Sequence, residues 1–483
     1  MLKVWRWAAL AVAAIPGTAL AAAAQNPAFQ LPNNVAVNVS GGPANPADGS
    51  GITSNTSVDL HSPVGDTKLS GTFASAPPDP SLPADHTDRK FALDSTLNGP
   101  AGVDVSVKAS SEIQDTRQNG ALVPAGLSST SATTRTDSAT ATATTHPLSD
   151  VGVTTGISRS RDVTAQNNVP VGGAAQTNTV STDDRKAFAS ADWQPLPFLQ
   201  AKAGVTTETM RVSSHGTDDA SDEYRYTEPH TSLTANLWDG AQAQVSAQDV
   251  VSPVNPYDFA ALAQAAGPDT DLRVAPNREW REQAGVSQTF DNGGTLSATV
   301  TQARIESATE LALTPDGAAA PVSVSGGTRQ QFDANVSMPL SGIGLADTTI
   351  SSQATLRQSR IRDPITGQTR RLSGEVPREA GVKLTHKDDR HHLQWGVTGN
   401  LATKQSFYQP AQVTALRTDS GVGAFVAYNP GKYTVSLNAS GLIGGARSQT
   451  DTFYIGSRAG NAETTNRTSD SSPLVSVSVS QKF

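Results

Sequence analysis

Five charged side chains have the types and spacing to do electrostatic work: Arg357, Arg371, Glu375, Glu379 and Lys383. In an extended chain, residues separated by an even interval share a face. Arg371, Glu375, Glu379 and Lys383 would then line one face, with Leu372, Val376, Ala380, Val382 and Leu384 on the other. The segment before them puts Arg357 with Ser351, Gln353 and Thr355, opposite Ile350, Ala354 and Leu356. Such a wall of mixed charge either sets the selectivity of a polar passage or ties neighbouring strands by cross-strand ion pairs. Pro377 predicts a bulge or kink in the second segment.

Other clusters are weaker. Arg360, Arg362 and Arg370 surround a DPITG loop and suit the phosphates of lipopolysaccharide or an acidic glycan. HKDDRHH (386–392) holds three histidines and two aspartates, but alternation sends His391 and His392 to opposite faces, so a solvated turn without metal is expected. TDDASDE (217–223) lacks the glycine and spacing of a calcium loop. DFAALAQAA (258–266) reads as a short helix with Asp258 as its N-cap. A nucleophile elbow, phosphate-binding loop, HExxH or dinucleotide fingerprint does not occur, so neither enzymatic activity nor a cofactor is expected. With no cysteine there is no disulfide framework, thiolate zinc site or iron–sulfur cluster.

The elements that must position these residues are strands. Only 36% of the 483 residues are apolar, 5% aromatic and 17% charged, too little for a large globular core. The apolar residues recur with period two. Val103, Val105 and Val107 oppose Asp104, Ser106 and Lys108. Phe332, Ala334, Val336 and Met338 oppose Gln331, Asp333, Asn335 and Ser337. Leu393, Trp395 and Val397 oppose His392, Gln394 and Thr398, and Tyr433, Val435, Leu437 and Ala439 oppose Thr434, Ser436, Asn438 and Ser440. Strict alternation is the mark of strands with one wet face. Residues 128–145 are low-complexity, and their pattern leaves strand and disorder both open.

Short turns, such as those near 97–100, 291–294, 386–389 and 428–431, alternate with long polar loops near 41–53, 75–87, 114–129, 159–180, 211–223, 250–278, 306–326, 361–369, 403–411 and 442–469. That alternation predicts an all-β, closed antiparallel transmembrane barrel of about 20 strands (roughly 18–22), with short periplasmic turns and long extracellular loops. Trp193, Phe198, Trp238, Phe290, Tyr428 and Tyr433 flank short turns, where a periplasmic aromatic girdle belongs. Tyr224, Tyr226, Trp280 and Phe407 lie near long loops. The chain closes on Val475, Val477, Val479 and Phe483, a strand with a terminal aromatic that resembles an outer-membrane assembly signal, although Gln481 departs from it.

The N-terminus reads as a secretory leader. Lys3 and Arg6 precede a short apolar run at 7–15, and small residues suit cleavage after Ala21 to Ala24, leaving 25–483 as the barrel. The net charge of −8 makes nucleic acid a poor partner. Expected partners are outer-membrane lipid, lipopolysaccharide, the barrel-assembly machinery and a separate plug or periplasmic protein.

One resemblance goes beyond architecture. NREWREQAGVSQTFDNGGTLSATVTQARIES (277–307), then MPLSGIGL, RIRDPITGQTRRLSGEVPREAGVKLTH (360–386), LQWGV and VGAFVAYNPGKYTVSLNASGL occur in that order. The order resembles the C-terminal barrel half of TonB-dependent-receptor-like outer-membrane proteins, over roughly residues 250–483. The resemblance implies the barrel wall. Because no plug-like sequence or TonB-engaging segment is read here, the expected activity is passage or binding of a polar solute by a barrel without its own plug. The alternative is an anchor or barrel partner in secretion or polysaccharide export.

Overall fold

A computed structural model describes residues 34–42, 52–62, 65–76, 84–99, 102–119, 127–170, 176–216, 219–254, 259, 274–313, 317, 319–431, 433–469 and 474–481. The leader, Phe483 and all of the DFAALAQAA segment except Phe259 lie outside the described residues. The chain divides into two compact units. The first runs to Trp193 and includes Ala203–Thr227; the second holds Gln194–Lys202 and the residues from Glu228 onward, with Pro46–Asp48.

The first unit is an antiparallel ladder in chain order: β1 (Asn34–Gly42), β2 (Ile52–Ser62), β3 (Gly65–Ala76), β4 (Ala84–Asn98), β5 (Val103–Asn119), β6 (Leu127–Leu148), β7 (Val151–Pro170) and β8 (Gln176–Leu196). β9 (Leu199–His215) and β10 (Ala220–Trp238) follow, each divided between the two units. Residues opposite one another in a ladder share a face. One such row is Leu97, Val105, Ala143, Thr155 and Ala189; the next is Ser95, Val107, Ala141, Ile157 and Ala187. On the other face Asp59, Lys68, Asp94 and Lys108 lie side by side.

These strands are longer than expected, up to 22 residues, whereas about 9–11 cross a bilayer. The low-complexity segment is strand, within β6. Most of the expected loop at 159–180 is also strand, since β7 reaches Pro170 and β8 starts at Gln176. The reason is side-chain chemistry. β-Branched threonine favours extended backbone, and threonine and serine here bond across the ladder, Thr134 with Thr164 at 3.1 Å and Ser110 with Ser138 at 2.8 Å.

The second unit continues the pattern through β11 (Ala241–Ser252), β12 (Asn277–Thr289), β13 (Thr295–Leu313), β14 (Ala319–Val324), β15 (Gly327–Pro339), β16 (Thr348–Arg362), the two-residue β17 (Thr369–Arg370), β18 (Arg378–Asp388) and β19 (Leu393–Asn400). Next come β20 (Thr403–Gln409), β21 (Gln412–Thr418), β22 (Gly421–Tyr428), β23 (Tyr433–Gly444), β24 (Arg447–Tyr454), β25 (Ala462–Ser469) and β26 (Leu474–Gln481). β19 pairs with β22, β22 with β23 and β23 with β26. The expected loops at 403–411 and 442–469 instead form their own sheet, in the order β20, β21, β24, β25. The chain bends between β23 and β24 at Gly444, whose φ is +69° and where a Cβ would lie 2.0 Å from the Ser420 carbonyl oxygen. Only glycine fits there.

One face of this unit is apolar in register across consecutive strands. One row is Leu233, Val245, Ala284, Val300, Phe332 and Leu356. Another is Ile350, Leu384, Val397, Ala424, Ala439 and Val475, and a third is Trp395, Val426, Leu437 and Val477. These side chains are open: Val245 is 58% exposed, Val300 56% and Val477 51%. A monomer dissolved in water does not leave an apolar surface of this extent uncovered.

Candidate functional site

The opposite face carries the charge. On β15, β16 and β18, Arg357 pairs with Glu379 at 2.6 Å and donates to Gln331 Oε1 at 3.3 Å, while Thr355 donates to Asp333 at 2.8 Å. On β12 and β15, Glu279 is held between Arg281 and Arg329, the latter at 2.6 Å. In the first unit, Lys108 meets Asp94 at 3.1 Å and Lys68 meets Asp59 at 3.8 Å. A face built of neutralised pairs stays wetted while keeping polar groups available to a solute.

The five residues expected to form one ladder are not all on strands. The strand expected from Arg371 begins only at Arg378, because Pro377 has no N–H for the ladder and residues 371–376 turn about Gly374, whose φ is +75°. Arg371 and Glu375 therefore sit in a loop, 3.7 Å apart. They rejoin β16 through its backbone: Arg371 donates to the Arg357 carbonyl at 3.3 Å, and Glu375 accepts from Ser359 N–H at 3.2 Å. Lys383 stands apart from the pair, its ammonium 4.8 Å from the centre of the Phe425 ring.

A second constellation joins four hairpins, β13–β14, β16–β17, β20–β21 and β24–β25. Asp363 opens the DPITG turn, accepting from Ile365 N–H at 2.8 Å and Thr366 N–H at 2.9 Å, with Gly367 at φ +69° closing it. The Asp363 carboxylate also takes Arg370, and Arg458 at 3.1 Å, while Arg370 reaches Glu310 at 2.8 Å. Both guanidinium groups lie over the Tyr408 ring, at 4.2 and 5.5 Å. Ser373 N–H donates to Glu310, Tyr408 N–H to Ser373 Oγ and Arg458 N–H to the Pro410 carbonyl. Asp363, Glu310 and Arg458 are all buried. Arg370, read from sequence with Arg360 and Arg362 as a phosphate ligand, points inward and is occupied by Glu310 and Asp363; Arg360 and Arg362 remain exposed.

Burial by itself would raise the Asp363 carboxyl. The Arg370 guanidinium, the Thr366 N–H, Arg458 and the Ile365 N–H outweigh it and hold the group well below the usual carboxylate range. A carboxyl depressed in the folded state contributes stability above its unfolded value, near 4, and loses it as pH falls through the folded value. Amide protection in 363–370 and 455–460 is thus expected to be unchanged from pH 7 to about pH 5 and to fall only in strong acid. Hydrogen exchange against pH measures this; loss of protection already near pH 6 would contradict it.

The six aromatics expected to form a girdle are all exposed: Trp193, Trp238, Tyr428 and Tyr433 near strand ends, Phe198 and Phe290 in the adjoining turns. Trp238 Nε1 donates to Gln288 at 2.8 Å and Trp193 Nε1 to Asp150 at 3.2 Å. Val475, Val477 and Val479 are exposed on one face of β26. HKDDRHH ends β18 and forms the turn after it, at 389–392: Asp388 accepts from the His391 and Arg390 backbone, and His392 takes a left-handed φ of +55°.

Sequence reading missed Glu279, Arg281 and Arg329, although their alternation in NREWREQ is visible. It also missed Glu310, Tyr408 and Arg458. No local signal reveals them, since Arg458 meets Asp363 across 95 residues.

No protein-family model matches the sequence, and comparison with curated proteins finds no match. Solved structures share the fold. The copper transporter OprC aligns with a TM-score of 0.65 at 10% identity, covering 92% of this chain and 76% of that one. The ferric-catecholate import receptor Fiu of E. coli K12 gives 0.61 at 12% identity over 92% and 77%. The siderophore receptor PiuA of Acinetobacter baumannii gives 0.63 at 11% identity, again over 92% and 77%. The likeness is one of fold: the all-β antiparallel sheet is similar to the folds of these solved transporters and receptors.

Proposed function

We propose that the chain is an outer-membrane β-barrel of about 20 strands, of the receptor or transporter kind, that binds a polar solute or lets it pass along its charged inner wall. The observation that carries this is the division of the sheet into two faces. Apolar rows run in register through Val300, Phe332 and Leu356 and through Val426, Leu437 and Val477, while ion pairs such as Arg357 with Glu379 occupy the other face. A surface of the first kind is stable against acyl chains, and one of the second kind against water. The fold shared with transporters and receptors supports the same reading.

Arg357→Glu would place two carboxylates where an ion pair now stands. In planar bilayers under a KCl gradient, the reversal potential is expected to move toward cation selectivity, with the permeability ratio changing on the order of twofold or more. Leu356→Gln, on the opposite face, serves as the control and should leave the ratio unchanged. Insertion without conductance steps, together with no binding of any polar solute, would contradict the proposal.

A further inference from the structure

The sheet formed by β20, β21, β24 and β25 has two unlike edges. The β20 edge is closed by the loop after β17: Gly374 N–H donates to the Ser406 carbonyl at 2.8 Å and Tyr408 N–H to Ser373 Oγ at 3.0 Å. The β25 edge is open. β25 pairs with β24 along its whole length, and among the described residues no strand lies on its other side. Residues 462–468 are all exposed. An open edge presents a row of unpaired N–H and C=O groups, which proteins commonly blunt with lysine, proline or a bulge. The sequence AETTNRTS has neither lysine nor proline, and its register with β24 runs without a bulge. Thr464, Thr465 and Thr468 favour extended backbone.

The charges on this edge are complementary to themselves. Glu463 and Arg467 share a face, with Thr465 between them. Neither makes an ion pair or a side-chain hydrogen bond among the described residues. Arg467 acts on Asp451 of β24 only through space, because that carboxylate is taken by Thr414, Gln412 and Gln449. Joining two identical edges antiparallel needs a twofold axis perpendicular to the sheet. Such an axis keeps each face on its own side, so only residues of like parity meet. Centred on Thr465, it sets Glu463 of each copy opposite Arg467 of the other, Thr464 opposite Asn466, and Thr465 opposite itself. Centred one residue to either side, it sets both charges opposite uncharged residues. Centred two residues to either side, it sets Glu463 or Arg467 against its own like. Opposite charges across an antiparallel pair stabilise it and like charges destabilise it, so one register is selected.

From this edge we infer that β25 is a docking surface for a second copy of this chain, the two four-stranded sheets joining across β25 about an axis through Thr465. Backbone hydrogen bonds between the two strands supply the contact, and the reciprocal pairs of Glu463 with Arg467 supply its register. The strand carries no large apolar side chain, so a partner that seeks an apolar groove does not fit it.

The test uses the full chain in mild detergent, its mass followed by sedimentation over a dilution series. Because the chain has no cysteine, single cysteines report contact. In the selected register the two Thr465 Cα atoms stand about 5 Å apart, within disulfide reach, and the two Thr468 Cα atoms about 20 Å apart. Mild oxidation is expected to link T465C to itself and to leave T468C unlinked. E463R should weaken the dimer about tenfold or more, since arginine then opposes arginine twice, and E463R/R467E should restore it to within about threefold. Circular dichroism checks that each variant keeps its strand content. A wild type that is monomeric throughout the series would overturn the proposal. So would equal linking at 465 and 468, or an E463R/R467E variant as weak as E463R. A T465C variant that links in cell envelopes to a different protein and not to itself would give the edge to another partner, and the second copy would fall.

Discussion

Leu437→Arg is expected to destabilise the inserted protein by about 2–4 kcal/mol, the penalty for an arginine near the bilayer midplane on a lipid-facing strand. Leu437 lies four residues beyond Tyr433, roughly 13 Å along β23, close to half of a hydrocarbon core about 30 Å thick. Its ladder neighbours are Val426 and Val477, so the guanidinium would have no polar partner within the row. Asn438→Arg, one residue further on, faces the other way, beside Phe425 and Ser476. It should cost no more than about 1 kcal/mol, because the polar face is already wetted. Urea-driven release from phospholipid vesicles, followed by tryptophan fluorescence, measures both. Equal costs at the two positions would contradict the assignment of faces.

A second large effect is expected in the loops. Asp363→Ala removes the acid facing both Arg370 and Arg458 and leaves Arg458, with only 4% of its side chain exposed, as an uncompensated buried charge. Breaking a buried pair from one side costs about 3–5 kcal/mol. Arg458→Met should cost less, since Asp363 keeps Arg370 and its two backbone donors. The double variant should recover part of the Asp363→Ala loss, because no buried guanidinium remains at 458. The change should be local. Amides of 363–370 and the Arg458 amide, which donates to the Pro410 carbonyl, are expected to exchange far faster, while those of β22 and β23 keep their protection. Loss of protection in both regions together would mean that the network holds the wall itself.

What could be read from the sequence followed from period two. Val435, Leu437 and Ala439, or Phe332, Ala334 and Val336, announce strand and face at once, because a one-residue slip would invert every side chain. Threonine-rich stretches such as 130–145 gave no such signal, since threonine serves either face, and the ladder partners that settle β6 lie on β5 and β7. The wall pair of Arg357 and Glu379 was legible for the same periodic reason. Arg371 and Glu375 were misplaced because Pro377 stands just before β18 and does not interrupt it. The loop network could not be read at all. Glu310, Asp363, Tyr408 and Arg458 come from four separate segments, and their meeting is a property of the folded loops.

Two-sidedness of the strands can be measured directly. The chain has no cysteine, so single cysteines at 434–439 can each carry a nitroxide in reconstituted vesicles without background labelling. Lipid-soluble oxygen should broaden the signal most at Val435, Leu437 and Ala439, and a water-soluble nickel chelate most at Thr434, Ser436 and Asn438. Nickel access at Leu437 equal to that at Asn438, with no period of two in either profile, would contradict a wall that has acyl chains on one side and water on the other.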